Sequence, residues 1–244
     1  MTDPMPAPAT APDKASAIED FVDIIFSPAK VFARRATSSP MLPFLVVFIL
    51  LVAIFFVNRN VLAPIMESEM SKGMEVARKA NPTMTDAQVE TAKSVSKTFA
   101  SLGAVIGVPI ALLVLGLLAW IVARICGGTP SYGTALLISA FAWVPRVVEG
   151  IVNSIQGILL DTGKMTSHYQ MQLGPARFLD PATTPAWQFG LLGRLDLITL
   201  WVTVLFAIGL VYAGKVPKKN LVLAGILMWV LGSVFPLWGA LRQG

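Results

Sequence analysis

The stretch MLPFLVVFILLVAIFFV, residues 41–57, holds no charged side chain and no polar one. A run of this length is near the minimum for a helix crossing a hydrocarbon core ~30 Å thick. Flanking residues extend it to a first span at about 41–60. Four further apolar segments follow, at about 98–125, 134–156, 194–213 and 221–241. In lipid a backbone must satisfy its own hydrogen bonds, so these runs read as helices. The expected fold is all-α: a polytopic membrane protein with five transmembrane helices, an N-terminal interfacial helix and an amphipathic helical outer loop. Composition agrees, with 55% hydrophobic residues and 14% charged ones, and a mean hydropathy of +0.70.

The connections carry their own signals. Residues 1–16 are rich in Pro, Ala and Thr, bury too little to order themselves, and read as a disordered tail. In AIEDFVDIIFSPAKVFARRA, Phe21, Ile25 and Phe32 recur near helical spacing, Phe26 adds an aromatic, and Pro28 interrupts. Lys30, Arg34 and Arg35 follow. This predicts membrane contact in the interface, aromatics in the bilayer and bases toward phosphates. In the polar stretch 58–97, Met66, Met70, Met74 and Ala77 form one stripe, so an amphipathic helix is expected. The Asn81–Pro82 pair breaks it, and Thr85 with Gln88 makes a capping box that starts a helix running into the second span. CGGTPSYG, 126–133, is a tight turn. Residues 187–194 read as an interfacial piece ahead of the fourth span.

Five spans put the ends on opposite sides. Lys30, Arg34 and Arg35 precede the first span, Arg124 follows the second, and Lys215, Lys218 and Lys219 fill one short loop. The positive-inside rule then predicts a cytoplasmic N-terminus and an outer C-terminus in a cell (inner) membrane. The net charge of +5 belongs to these flanks. No basic, aromatic-interleaved soluble domain is present to bind nucleic acid.

The third span contains FAWVPRVVEG, 141–150, with a helix break at Pro145 and charges at Arg146 and Glu149. Asp196 enters the fourth span at a similar depth. An unpaired charge at the bilayer centre costs ~2.5–3.5 kcal/mol on insertion scales, so the three are expected to form an intramembrane polar cluster. The alternative is that Arg146 snorkels along the lipid. There is no P-loop, no H-E-x-x-H and no nucleophile elbow. The sole histidine, His168, and the sole cysteine, Cys126, fall on opposite membrane faces. An enzyme is therefore not expected, nor a cofactor or metal. One sharper option concerns Met165, His168 and Met171 with Met66, Met70 and Met74, which are soft ligands of the kind Cu(I) takes. Against it stands the ordinary use of Met as packing filler.

Three pieces together resemble a known family. IIFSPAKVFARRA (24–36) is similar to the entry segment of the Yip family, the Ypt/Rab-interacting membrane proteins, in its bacterial branch. CGGTPSYGTALLISAFAWVP (126–145) resembles its glycine turn and third span, and LDLITLWVTVLFAIGL (195–210) its fourth. The order fits along 21–241, while 58–97 has no counterpart. The resemblance implies one five-span, Yip-like membrane domain over 17–244. Eukaryotic relatives are associated with Rab-type GTPases and membrane trafficking, which transfers to no residue here. Two functions remain: a non-enzymatic membrane-organising or partner-binding scaffold, or a small-solute transporter or channel using the Arg146 cluster. Expected partners are the lipid bilayer and other membrane proteins or a second copy.

Overall fold

The computed structural model describes residues 16–180 and 182–241. Of the tail 1–16, expected to be disordered, residues 1–15 lie outside the described residues and Ser16 caps the first helix; 242–244 also lie outside.

Helix α1, Ala17–Phe26, opens on a capping box. Ser16 Oγ accepts from the Glu19 amide at 3.2 Å, and the Glu19 carboxylate accepts from the Ser16 amide at 2.5 Å. Ser27 ends α1, and Pro28 stands in the first turn of α2, Pro28–Arg35, where its missing N–H costs nothing. The pair is packed into the protein. Ile24, Val31 and Phe32 are wholly buried, and the Phe141 ring lies 5.5 Å from Phe21 and 6.2 Å from Phe32. The face carrying Phe21, Ile25 and Phe32 thus packs on the protein core, Phe32 fully and Phe21 and Ile25 in part. Arg34 and Arg35 likewise turn inward, to Asp20 and Asp23, at 2.5–2.7 Å. Helical spacing identifies the faces but not which one finds the core. The outward face of α1 is a second stripe, Ile18, Val22 and Phe26, all exposed.

Four helical stretches are long and apolar enough to cross a membrane: Met41–Asn58, Val105–Ile125, Tyr132–Leu159 and Lys218–Gly239. A fifth arises only if Ala186–Leu195 and Leu197–Tyr212, bent by 56° at Asp196, are taken as one broken span. The first is α3, Met41–Asn58. The amphipathic α4, Ala63–Ala80, follows, with Met70, Met74 and Ala77 half-buried. The Thr85–Gln88 capping box is present and starts α5, Asp86–Ile125, which runs unbroken through Pro109. Within α5 the stretch long and apolar enough to cross is Val105–Ile125. α6, Tyr132–Ala142, and α7, Val144–Leu159, meet at Trp143. The short α8, Ala186–Leu192, precedes α9, Leu197–Tyr212, and α10 is Leu221–Leu241.

α5 packs on α6, α9 on α10, α3 on α6 and α7, and α2 lies against α9. The shared core holds Leu112, Leu137, Ile138, Phe141, Leu205, Phe206 and Leu210. Ile106, Ile110, Leu113, Leu117 and Ile121 stay exposed along α5, as a lipid-facing flank does. In water such a patch would be a liability.

The turn after α5 shows how glycine shapes this end. Gly127 takes φ +82°, and Gly128 donates to Ala123 O at 2.7 Å, closing a Schellman cap. A Cβ on Gly128 would sit 2.6 Å from Gly214 O and 3.2 Å from Ala123 O, both backbone atoms. Gly128→Ala is therefore expected to destabilise by about 1–3 kcal/mol, the usual range for overpacking. Thermal unfolding in detergent reads this, and Gly103→Ala, whose Cβ meets nothing within 4 Å, is the control.

Candidate functional site

Arg146 lies midway along the Tyr132–Leu159 stretch, in the first turn of α7. Its Nη1 donates to Glu149 Oε2 at 2.7 Å, the expected contact for residues three apart on a helix. Its Nη2 donates to Thr199 Oγ1 at 2.9 Å on α9. Asp196 does not touch the guanidinium. It is 1% exposed and caps α9, Oδ2 accepting from the Thr199 amide at 3.1 Å. Its Oδ1 accepts from the Leu173 amide at 2.8 Å, which ties down the preceding loop. Thr199 is thus the bridge between Arg146 and Asp196. The bend at Asp196 follows from the same cap, since the residue adopts extended backbone (ψ 140°) and an N-cap must leave the helix.

A second cation joins the group. Arg194 Nε donates to Ser233 Oγ at 2.9 Å, and its carbonyl accepts from Trp229 Nε1 at 3.1 Å. It interacts electrostatically with both Arg146 and Asp196. Two cations and two carboxylates therefore lie within electrostatic reach of one another here. Beside them, buried Asn58 at the end of α3 donates to Gly150 O at 2.9 Å and accepts from Ser154 Oγ at 2.5 Å.

Two cavities adjoin the cluster. One, about 360 Å³, is an open groove between α3, α5 and α7, lined by Leu51, Phe55 and Val108 together with Arg146 and Glu149. The other, about 140 Å³, lies toward α4 and is lined by Met66, Glu69, Glu149, His168, Met171 and Gln172 among others. There Glu69 Oε1 lies 2.6 Å from His168 Nδ1 and accepts from the His168 amide at 2.8 Å. Burial pushes the Glu69 carboxyl up, but the hydrogen bonds and electrostatic attraction of His168, with Ser167, outweigh that and hold it below its ordinary value. Burial and then Glu69 push the Tyr169 phenol up. The Tyr169 ring stacks between His168, at 4.1 Å, and Phe189, at 4.9 Å.

The sequence profile of the Yip1 domain matches residues 22–239, nearly the whole chain. The protein belongs to the Yip1 domain family. It is similar to the membrane protein YknW of Bacillus subtilis (strain 168), 27% identical over 154 residues. That match spans 63% of this chain and 64% of YknW, so under two thirds of the relative's length is covered. No solved structure matches. This Yip1 domain is a multi-pass helical membrane protein.

Within the Yip1 domain, the residues singled out from the sequence fall in separate places. Pro145 sits in the first turn of α7, where a helix start tolerates it, and the α6–α7 break lies at Trp143 beside it. Of the interfacial set, only Phe26 is strongly exposed, at 78%. Met66, His168 and Met171 line one cavity, while Met70, Met74 and Met165 do not. Cys126 is buried beside the start of α10, where its carbonyl accepts from Asn220 Nδ2 at 2.9 Å. His168 lies against α4, toward the other end. Among the described residues no three His, Cys, Asp or Glu come together. Sequence reasoning missed Arg194, Thr199 and Ser233. Thr199 had a signal, since a hydroxyl three residues after a capping Asp joins its hydrogen bonds. Arg194 had one too, two residues before Asp196 and just as deep.

Proposed function

We propose that this Yip1-domain protein is a non-enzymatic, five-span scaffold of the cell (inner) membrane that holds other membrane proteins or a second copy. One observation carries the reading. The charges at depth are engaged with protein groups, Arg146 with Glu149 and Thr199, Arg194 with Ser233, and Asp196 with two backbone amides. Satisfied groups of this kind hold helices in register. A transport path instead presents polar groups to a water-filled route. The bent pair at Asp196 then counts as one span, and the N-terminus is cytoplasmic. The exposed bases Lys30, Arg124, Lys215, Lys218 and Lys219 face the anionic leaflet, each favoured there by ~1 kcal/mol. The stripe Ile18, Val22 and Phe26 rests in the interface beside them.

The test has two arms. Reporter fusions at the two termini are expected on opposite sides of the membrane, and both on one side removes the five-span topology. Photo-crosslinkers at Ile110 on α5 and Ile226 on α10, both more than half exposed, are expected to give discrete protein adducts in native membranes. Lipid adducts alone, together with solute flux in proteoliposomes, would overturn the scaffold.

A further inference from the structure

We propose that the cavity between α4 and the 160–172 loop binds one soft monovalent cation, Cu(I) or Ag(I), through the Met66 and Met171 thioethers and His168 Nε2. The placement begins with spacing. Met66 and Glu69 are three apart on α4, and His168 and Met171 are three apart on a 3-10 turn. Each pair therefore presents a sulfur and its partner on one face. The cavity, about 140 Å³, is where the two faces meet.

The histidine is already oriented as a ligand. Glu69 Oε1 lies 2.6 Å from Nδ1 and also takes the His168 amide and Ser167 Oγ, at 2.8 and 3.3 Å. With the proton on Nδ1, held by the carboxylate, the Nε2 lone pair is left for a metal. This is the outer-shell arrangement that metal-bound histidines use. Stacking of Tyr169 on the imidazole, at 4.1 Å, fixes the ring plane further.

Charge and softness select the ion. Glu69 and Glu149 both border the cavity, which favours a cation. One oxygen of each is already engaged, Glu69 Oε1 with His168 and Glu149 Oε2 with Arg146. That leaves too few for Ca²⁺ or Mg²⁺, which take six or more oxygen ligands. Two thioethers and one imidazole suit Cu(I) and Ag(I). Met171 is only 4% exposed, so one sulfur is held rigidly at the wall.

Ag(I) is the probe, because it needs no reductant. The full chain in detergent, with Cys126→Ala so that no thiolate competes, is titrated with Ag(I) and followed by the ten methionine methyl resonances. The Met66 and Met171 methyls are expected to shift together and saturate at one equivalent. His168→Gln and the double variant Met66→Leu, Met171→Leu are expected to abolish saturation at that stoichiometry. Glu69→Gln is expected to weaken binding about 10–100-fold, as loss of an outer-shell partner does. Met70→Leu and Met165→Leu are expected to bind as the parent does. Shifts at other methyls, undiminished binding by His168→Gln, or equal shifts with Mg²⁺ or methylammonium would each overturn the site. None of these readouts depends on the scaffold function.

Discussion

Asp196→Ala is expected to be among the most damaging single substitutions in the chain, at about 2–4 kcal/mol. Two separate losses add. Removing the cap from α9 costs about 1 kcal/mol, since the Thr199 amide loses its acceptor. Stranding the Leu173 amide costs a further ~1–3 kcal/mol. The side chain is 1% exposed, so water does not replace either bond in place. The measurement is thermal unfolding in detergent with hydrogen exchange at Leu173 and Thr199. Both amides should lose protection, and Leu197, bonded to Leu173 O at 3.3 Å, should follow. Asp196→Asn keeps one acceptor oxygen and should cost about half as much. If Asp196→Ala matches the parent, the carboxylate is not the clasp between loop and helix.

The membrane helices were legible because their signal is collective. Seventeen uncharged positions from Met41 to Val57 leave a helix little alternative in lipid. The Thr85–Gln88 box was legible because capping is local chemistry, complete within four residues. What the sequence hid is pairwise and long-range. The stripe Phe21, Ile25 and Phe32 is as apolar as Ile18, Val22 and Phe26, and nothing local says which faces Phe141. The answer came from Asp20, which pulls Arg34 and Arg35 inward across a fourteen- and fifteen-residue separation. In the cluster, the Arg146–Glu149 contact is a helical spacing and was readable. The arrangement around Asp196 was only half readable. Depth counting put it near Arg146, but a capping Asp spends its oxygens on amides, so Thr199 makes the contact instead. Arg194 was passed over because its partner, Ser233, lies on α10, thirty-nine residues away.

Arg146→Leu is expected to cost about 3 kcal/mol, the lower end of the ~3–5 kcal/mol seen when one partner of a buried ion pair is removed. The lower end applies because Arg146 and Glu149 are 25% and 22% exposed, which lets the stranded carboxylate recover some solvation. Thr199 Oγ1 loses a charged donor as well, though its hydroxyl, 3.5 Å from Asp196 Oδ2, can still turn toward that carboxylate. The cost is therefore mostly that of Glu149 left alone among α3 and α7 side chains. This gives a sharper test than the single variant. Replacing both partners, Arg146→Leu with Glu149→Leu, removes the stranded charge and should return most of the lost stability, because an apolar pair of similar volume is often neutral at such a site. Thr199→Val, which removes the hydroxyl bridging Arg146 and Asp196, should cost about 1.5–3 kcal/mol. With Glu149→Leu as the second single variant, the cycle is read from detergent melting temperatures of the parent, the two singles and the double. A parent-like Arg146→Leu means the guanidinium reaches into lipid and pairs with nothing that matters. A double variant as unstable as the single one means the loss came from packing of the long Arg146 stem against its neighbours, not from its charge.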